Sequence, residues 1–276
     1  MNANEPLLSA EEAVLLLRGQ PESQELVRAC CYDDPVIEAA RRFHTSSEWT
    51  ALRSYLPAVP GRALDIGAGR GIASFSLASD GWNVTALEPD SSSVVGSGAI
   101  RDLARGAGIN IGIVETWGEN LPFPDESFDL VYCRSVLHHA YDLCRLCREV
   151  GRVLREGGTF IAVREHVISR KADLQIFLNN HPLHKLRGGE SAYLLQEYIE
   201  AIRSGGIGID HILNPKESDI NLFPSTRQEM KLHLASKIGW PFPNAIPDIA
   251  LKLYGAMVDA PGRLYSFIGV KSHVSR

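Results

Sequence analysis

Two acidic residues and three alternating glycines are the first groups in this chain that could do chemistry. The run Ala63-Leu-Asp-Ile-Gly-Ala-Gly-Arg-Gly71 puts Asp65 two residues ahead of Gly67, with Gly69 and Gly71 following. Glu88 closes the next apolar run, Trp82-Asn-Val-Thr-Ala-Leu-Glu-Pro-Asp90. Residues 62–66 read as a buried strand and 70–79 as a helix, so the glycines fall on the turn between them, where the backbone bends sharply and a ligand can approach it. The second strand brings the Glu88 carboxylate to the same sheet edge, where it can accept hydrogen bonds from both hydroxyls of a ribose. The pair describes a nucleoside site.

Spacing bears on which nucleoside. A dinucleotide fingerprint needs a third glycine three residues after the second and sets a pyrophosphate on the helix N-terminus. That position is Ile72 here, and the negative Asp65 facing the turn suits an ammonium or sulfonium group better than a pyrophosphate.

The Asp-x-Gly-x-Gly-x-Gly run resembles motif I of the class I S-adenosylmethionine-dependent methyltransferases. Further blocks strengthen the resemblance. Gly118-Glu-Asn-Leu-Pro-Phe-Pro-Asp-Glu-Ser-Phe-Asp-Leu-Val131 is similar to the segment leading into the family's fourth strand. Cys133-Arg-Ser-Val-Leu-His-His139 follows, and Cys147-Arg-Glu-Val-Gly-Arg-Val-Leu-Arg-Glu-Gly-Gly158 is similar to its helix and turn before strand five. These blocks keep the family's order across about residues 60–168. The resemblance implies S-adenosylmethionine as cofactor and S-adenosylhomocysteine as product. It also implies cofactor contacts from Asp65, Gly67, Ala68, Gly69, Glu88, Pro89, Trp117, Gly118, Glu119 and the backbone of Cys133, with Asp65 and Cys133 near the methionine end. Many relatives carry an adenine-binding aspartate where this chain has Trp117. Indole can cover a purine face but cannot accept a hydrogen bond, so the backbone of Gly118 is expected to read the adenine.

The expected fold is α/β, a Rossmann-like, seven-stranded, mostly parallel sheet with helices on both faces. Strands are expected near 62–66, 83–87, 110–115, 128–133 and 159–165, with 206–213 and 264–271 forming an antiparallel hairpin at the edge, as the family implies. Helices are expected near 70–79, 91–106, 142–154 and 192–203. Residues 1–58 read as a helical cap, either over the cofactor cleft or merely covering the sheet, with Asp34 capping a helix that Pro35 opens. Residues 59–276 then form the main domain, with surplus segments near 167–190 and 216–262 that are expected to recognise substrate.

The histidines are the other reactive group. His166 ends strand five, and His181-Pro-Leu-His184, Arg187 and Glu190 follow in a segment without periodicity. Imidazole near its free pKa can take a proton from an attacking hydroxyl or amine, which makes His166, His181 and His184 the candidate bases. Glu165, Arg187 and Glu190 are candidate substrate contacts, and His138 and His139 are expected to shape the cofactor pocket. A divalent metal held by Glu165, His166, His181, His184 or Glu190 is the alternative, but the expectation is no metal. Cys144 and Cys147 lie on one expected helix with no second pair to complete a zinc site, and read as structural.

Composition narrows the class. A net charge of −5 without a basic run argues against a nucleic-acid partner. The five cysteines suggest reduced thiols, and the N-terminal residues resemble neither a secretory signal nor a membrane span, so a cytoplasmic enzyme is expected. The reading is methyl transfer to a polar small molecule, most simply O-methylation of a hydroxylated sugar or natural-product intermediate. An N-methyltransferase, a nicotinamide-dependent oxidoreductase and a non-catalytic cofactor-binding protein are the alternatives.

Overall fold

A computed structural model describes residues 7–272. Its sheet runs in the order β3-β2-β1-β4-β5-β8-β7, with β1 Arg62–Ile66, β2 Asn83–Leu87, β3 Ile111–Val114, β4 Phe128–Arg134, β5 Leu154–Ile168, β7 Ile207–Leu213 and β8 Arg263–Lys271. Neighbours from β3 to β5 are parallel, while β8 is antiparallel to both β5 and β7. An eighth strand, β6 Tyr193–Leu194, pairs in parallel with Val167 and Ile168 and lies off the main path. It takes residues assigned above to the start of a helix, which instead begins at Leu195. β5 starts earlier than expected because Leu154 pairs with Phe128, before a register slip between Phe128 and Leu130.

The strands are buried on both faces because helices cover both. Along β4, Val131 and Cys133 pack into one cluster, and Leu130 and Tyr132 into the other, as a two-residue period requires. The first cluster is closed by the helix Leu143–Val153. Its residues Leu146, Cys147, Val150 and Val153 recur at helical spacing, and Asp142 caps its N-terminus by accepting from Arg145 N at 2.9 Å. The second is closed by Val36–His44, Ser47–Arg53 and Ile72–Ser79, with Phe43, Trp49, Leu52 and Leu77 fully buried.

The N-terminal segment is helical. Its later helices cover the sheet, whereas Ala10, Val14 and residues 29–32 line the cleft described below. Asp34 is not a cap: Pro35 occupies the N-cap of Val36–His44, and the Asp34 carboxylate pairs with Arg18 and Arg70. The segment after β5 is helical too, as Asp173–Asn180 and Pro182–Arg187, with His181 capping the second. Among the described residues no helix is long and apolar enough to cross a membrane.

Candidate active site

The site forms at the carboxyl ends of β1, β2, β4 and β5, where the chain leaves the sheet for its helices. Gly67, Gly69 and Gly71 take φ values of 63°, 54° and 78°, left-handed conformations that lift the chain from β1 into the helix Ile72–Ser79. Gly67 N and Ala68 N donate to Leu87 O at 2.8 and 3.1 Å, which fastens the turn to the end of β2. A Cβ on Gly69 would meet only Val95 O at 3.8 Å, so the room beside this residue is open for a ligand.

Glu88 follows β2 and is nearly buried. Its Oε2 accepts from Gly69 N at 2.7 Å and its Oε1 from Asp90 N at 3.0 Å. Both oxygens are thereby fixed in place, and each keeps a lone pair for a ribose hydroxyl. Burial raises the pKa of this carboxyl against the pull of those two N–H donors.

Asp65, on β1, lies beneath the turn with Ser74 Oγ donating to its Oδ2 at 2.6 Å. Burial pushes it up to about 7. A carboxylate this poorly compensated favours a cation as neighbour. Arg70, the cation nearest in sequence, does not supply it: its guanidinium turns to Cys31 O and Asp33 O, both at 2.8 Å, and to Asp34. The turn therefore offers no positive side chain to a pyrophosphate, and a sulfonium or ammonium group fits it.

At the opposite wall a Cβ on Gly118 would come within 2.6 Å of Leu146 Cδ1, so a side chain here would have to push Leu146 aside. Trp117 sits at the rim, 62% exposed, with its ring 6.3 Å from that of Tyr141 and tilted 71° to it. Glu119 accepts from Tyr141 N at 3.0 Å and holds that aromatic edge. Two exposed rings beside a stretch of backbone without a side chain suit a flat heterocycle.

The floor is a cluster of imidazoles around Glu190. His138 is buried, its Nδ1 2.7 Å from Glu165 Oε2, and Nε2 of both His138 and His139 lies 3.6 Å from Glu190 Oε2. His139 Nδ1 donates to Gly189 O at 2.9 Å, and His166 Nδ1 to Gly262 O at 2.8 Å. A carbonyl oxygen only accepts, so both rings carry their proton on Nδ1 and turn an Nε2 lone pair elsewhere. Burial opposes charge on His138, but Glu165 and Glu190 outweigh it and push the ring up to about 9. Burial and the neighbouring His138 push His166 down to about 3 and also lower His139. Burial opposes charge on Glu190 as well, yet the surrounding histidines hold it well below the usual carboxylate range.

These groups line one cleft of about 750 Å³. The N-terminal residues close over it and are tied down at several points. Arg70 holds residues 31–34, Ser92 Oγ donates to Glu11 Oε2 at 2.5 Å, and Leu8 N donates to Leu186 O at 3.0 Å.

Most residues expected from sequence meet in this cleft: Asp65, Gly67, Ala68, Gly69, Glu88, Pro89, Trp117, Gly118, Glu119, His166, His181, Arg187 and Glu190. Cys133 does not. Its side chain faces the core, and Arg134 and Ser135, one and two residues on, reach the cleft instead. His184 does not either, because its place in the helix Pro182–Arg187 turns it from the cleft and leaves Nδ1 buried without a hydrogen bond. Glu165 is fully buried and accepts from Val136 N, His138 N and His138 Nδ1, so it positions the floor rather than touching substrate. The segment 216–262 contributes little: Gly262 O holds His166, and Ile220 O and Phe223 O accept from Arg164. Arg227, Asp248 and Lys252 line a separate hollow beside Tyr55. Sequence reasoning missed the cleft contacts of Tyr32, Arg134, Tyr141 and Arg164, which no local pattern marks.

Residues 64–162 match the family described as Methyltransferase domain. That segment carries a methyltransferase domain, similar to the class I, S-adenosylmethionine-dependent kind. It is 34% identical over 134 residues to an uncharacterized methyltransferase, YcgJ, of Bacillus subtilis, covering 46% of this chain and 48% of that one. It is 29% identical to a ubiquinone biosynthesis O-methyltransferase of Sinorhizobium fredii, covering 48% and 52%. Identity is 33% to a sarcosine/dimethylglycine N-methyltransferase of Halorhodospira halochloris, covering 47% and 45%. The chain thus spans about half the length of these curated relatives. In fold it is similar to the [4+2]-cyclase SpnF, with a TM-score of 0.56 at 20% identity, covering 86% of this chain and 82% of that one. The open glycine turn, the anchored Glu88 and the poorly compensated Asp65 fit S-adenosylmethionine, the cofactor that the sequence motifs imply.

Proposed function

We propose that this protein methylates a hydroxyl oxygen of a polar small molecule. The observation that carries the reading is that one cleft of about 750 Å³ joins the nucleoside-binding turn to a floor of imidazoles and a carboxylate. Small-molecule sites run to roughly 300–1,000 Å³, so the cleft has room for a cofactor and a compact acceptor together.

When bound, S-adenosylmethionine supplies a methyl group on a positively charged sulfur. Glu88 holds the ribose hydroxyls, Gly69 lets the nucleoside approach the backbone, and the rings of Trp117 and Tyr141 cover the purine. Asp65 opposes the cofactor's positive charge. The rest of the work is alignment, since holding nucleophile and methyl in line removes most of the entropic barrier. The residues 29–32 over the cleft exclude water. On the acceptor side Glu190 and Arg187 bind polar substituents, and His166, fixed through Gly262, offers a lone pair to the acceptor's hydroxyl. Its low pKa keeps it neutral and makes it a weak base, so it serves an acceptor that gives up its proton readily.

The test is an acceptor panel of hydroxylated and amino compounds incubated with S-adenosylmethionine. S-adenosylhomocysteine release is measured, and the product is mapped by mass spectrometry. A methyl on oxygen supports the reading. A methyl on nitrogen replaces it with the chemistry named for the sarcosine/dimethylglycine relative, which the anionic Glu190 would favour by holding a cationic amine. Cofactor binding without turnover on any acceptor points to a non-catalytic binding protein, and binding of NAD in its place points to an oxidoreductase.

A further inference from the structure

We propose that the floor of the cleft holds one divalent transition-metal ion, bound by Nε2 of His138, Nε2 of His139 and the carboxylate of Glu190, with its remaining positions open to the acceptor. The inference goes beyond methyl transfer: ion binding stands on these residues alone, and only the ion's role depends on the reaction.

The spacing of the donor atoms is the first argument. Each of the two Nε2 atoms is 3.6 Å from Glu190 Oε2, and the three atoms all lie within 4.8 Å of one another. At 3.6 Å the contacts are too long for good hydrogen bonds. A tetrahedral ion with bonds of roughly 2.0–2.2 Å sets its ligands about 3.3–3.6 Å apart. A small inward movement of the three side chains would therefore complete the shell.

The outer shell is the second argument. A ligating histidine commonly donates its other ring N–H to a carboxylate or a backbone carbonyl, which fixes the tautomer and aims the lone pair. His138 has Glu165 at 2.7 Å in this role, and His139 has Gly189 O at 2.9 Å. Glu165 is itself held by Val136 N at 3.0 Å and His138 N at 3.1 Å. The other oxygen of Glu190 is held by Arg187 Nη2 at 3.3 Å. Each of the three proposed ligands is therefore oriented by a second hydrogen-bond partner. His166 and His181 form a second triad with the same carboxylate, which puts further nitrogen donors beside the site.

Two imidazoles and one carboxylate select zinc, cobalt, nickel, iron or manganese over magnesium or calcium. Three protein ligands with an open position make a catalytic rather than a structural arrangement. The ion would lower the pKa of an acceptor hydroxyl coordinated at that position. The O–H bond breaks, its proton passes to a neutral imidazole such as His166, and the oxygen keeps the electron pair. That pair forms the C–O bond as the C–S bond breaks with its own pair going to sulfur. The metal keeps its oxidation state throughout.

The test uses the full-length chain, stripped with chelator and titrated with Co²⁺, read by visible absorption and calorimetry. The expected result is one saturating equivalent with low-symmetry ligand-field bands. Glu190→Gln and His139→Ala should each weaken binding by at least roughly a hundredfold, the upper end of losses known for outer-shell changes. The exposed His233→Ala serves as control and should bind normally. Circular dichroism checks each fold, and the half-exposed His139 keeps the test decisive if the Glu190 variant misfolds. Absence of saturable Co²⁺ binding overturns the proposal, as does equal affinity in the His139 and parent proteins. S-adenosylhomocysteine affinity is measured in parallel. Its retention without metal binding rejects the ion and spares the methyltransferase reading, and the opposite pattern does the reverse.

Discussion

Glu88→Gln is the substitution that separates cofactor binding from folding most cleanly. The Glu88 carboxylate accepts from Gly69 N at 2.7 Å and Asp90 N at 3.0 Å, so an alanine would orphan two nearly buried donors and destabilise the turn as well as the site. Glutamine keeps the volume and one oxygen acceptor. Its amide nitrogen cannot accept, and it must face either a backbone donor or the ribose. Hydrogen bonds to a charged group contribute about 1.5–3 kcal/mol each. Losing the equivalent of one weakens binding by about 10- to 150-fold, since 1.4 kcal/mol is a factor of ten. Calorimetry with S-adenosylhomocysteine reads the loss, and a thermal melt without ligand reads any cost to the fold. An affinity within about twofold of the parent, in a variant that melts normally, would refute the assignment of Glu88 to the ribose.

Three further outcomes follow from the same geometry. Asp65 is raised to about 7, so its contribution to stability is full below the ordinary aspartate range and is lost as pH rises through about 7; ligand-free protein should lose stability to urea over that window, while affinity for cationic S-adenosylmethionine rises, and neither trend should survive in Asp65→Asn. Trp117→Ala should weaken cofactor binding by about 1 kcal/mol and abolish the fluorescence change on titration, through lost apolar cover; unchanged affinity would put the ring outside the site. His166→Ala should lower turnover on the true acceptor by about a hundredfold with cofactor affinity intact, whereas His184→Ala, which lies off the cleft, should turn over near normally; the reverse order would reinstate His184 as the base.

The half of the cleft around the glycine turn was legible in sequence because it is local. The turn from Gly67 to Gly71 and the acid at Glu88 each lie within a few residues of the strand that positions them. The strand-helix alternation from Arg62 to Gly158 follows from hydrophobic period alone. The acceptor half was legible only as composition. Which of His166, His181 and His184 face the cleft depends on where the helix Pro182–Arg187 starts, and proline at its first position turned an expected loop into a helix that points His184 away. Glu165 looked like a substrate contact because it adjoins His166 in a strand end. An irregularity in the pairing of β5 with β8 between Ala162 and Glu165, where Arg164 takes a φ of 62°, instead turns it inward beneath His138. Tyr32 and Arg164 line the cleft through the fold, Arg164 with its guanidinium held by Ile220 O and Phe223 O, 56 and 59 residues on, which periodicity does not encode.

The most direct test of the central claim is the structure of the S-adenosylhomocysteine complex. Both ribose hydroxyls should lie on Glu88, the purine beside Gly118 and Trp117, and the sulfur should face the imidazole floor around Glu190. A ligand seated elsewhere, or bound in this cleft with its sulfur turned away from that floor, would contradict it.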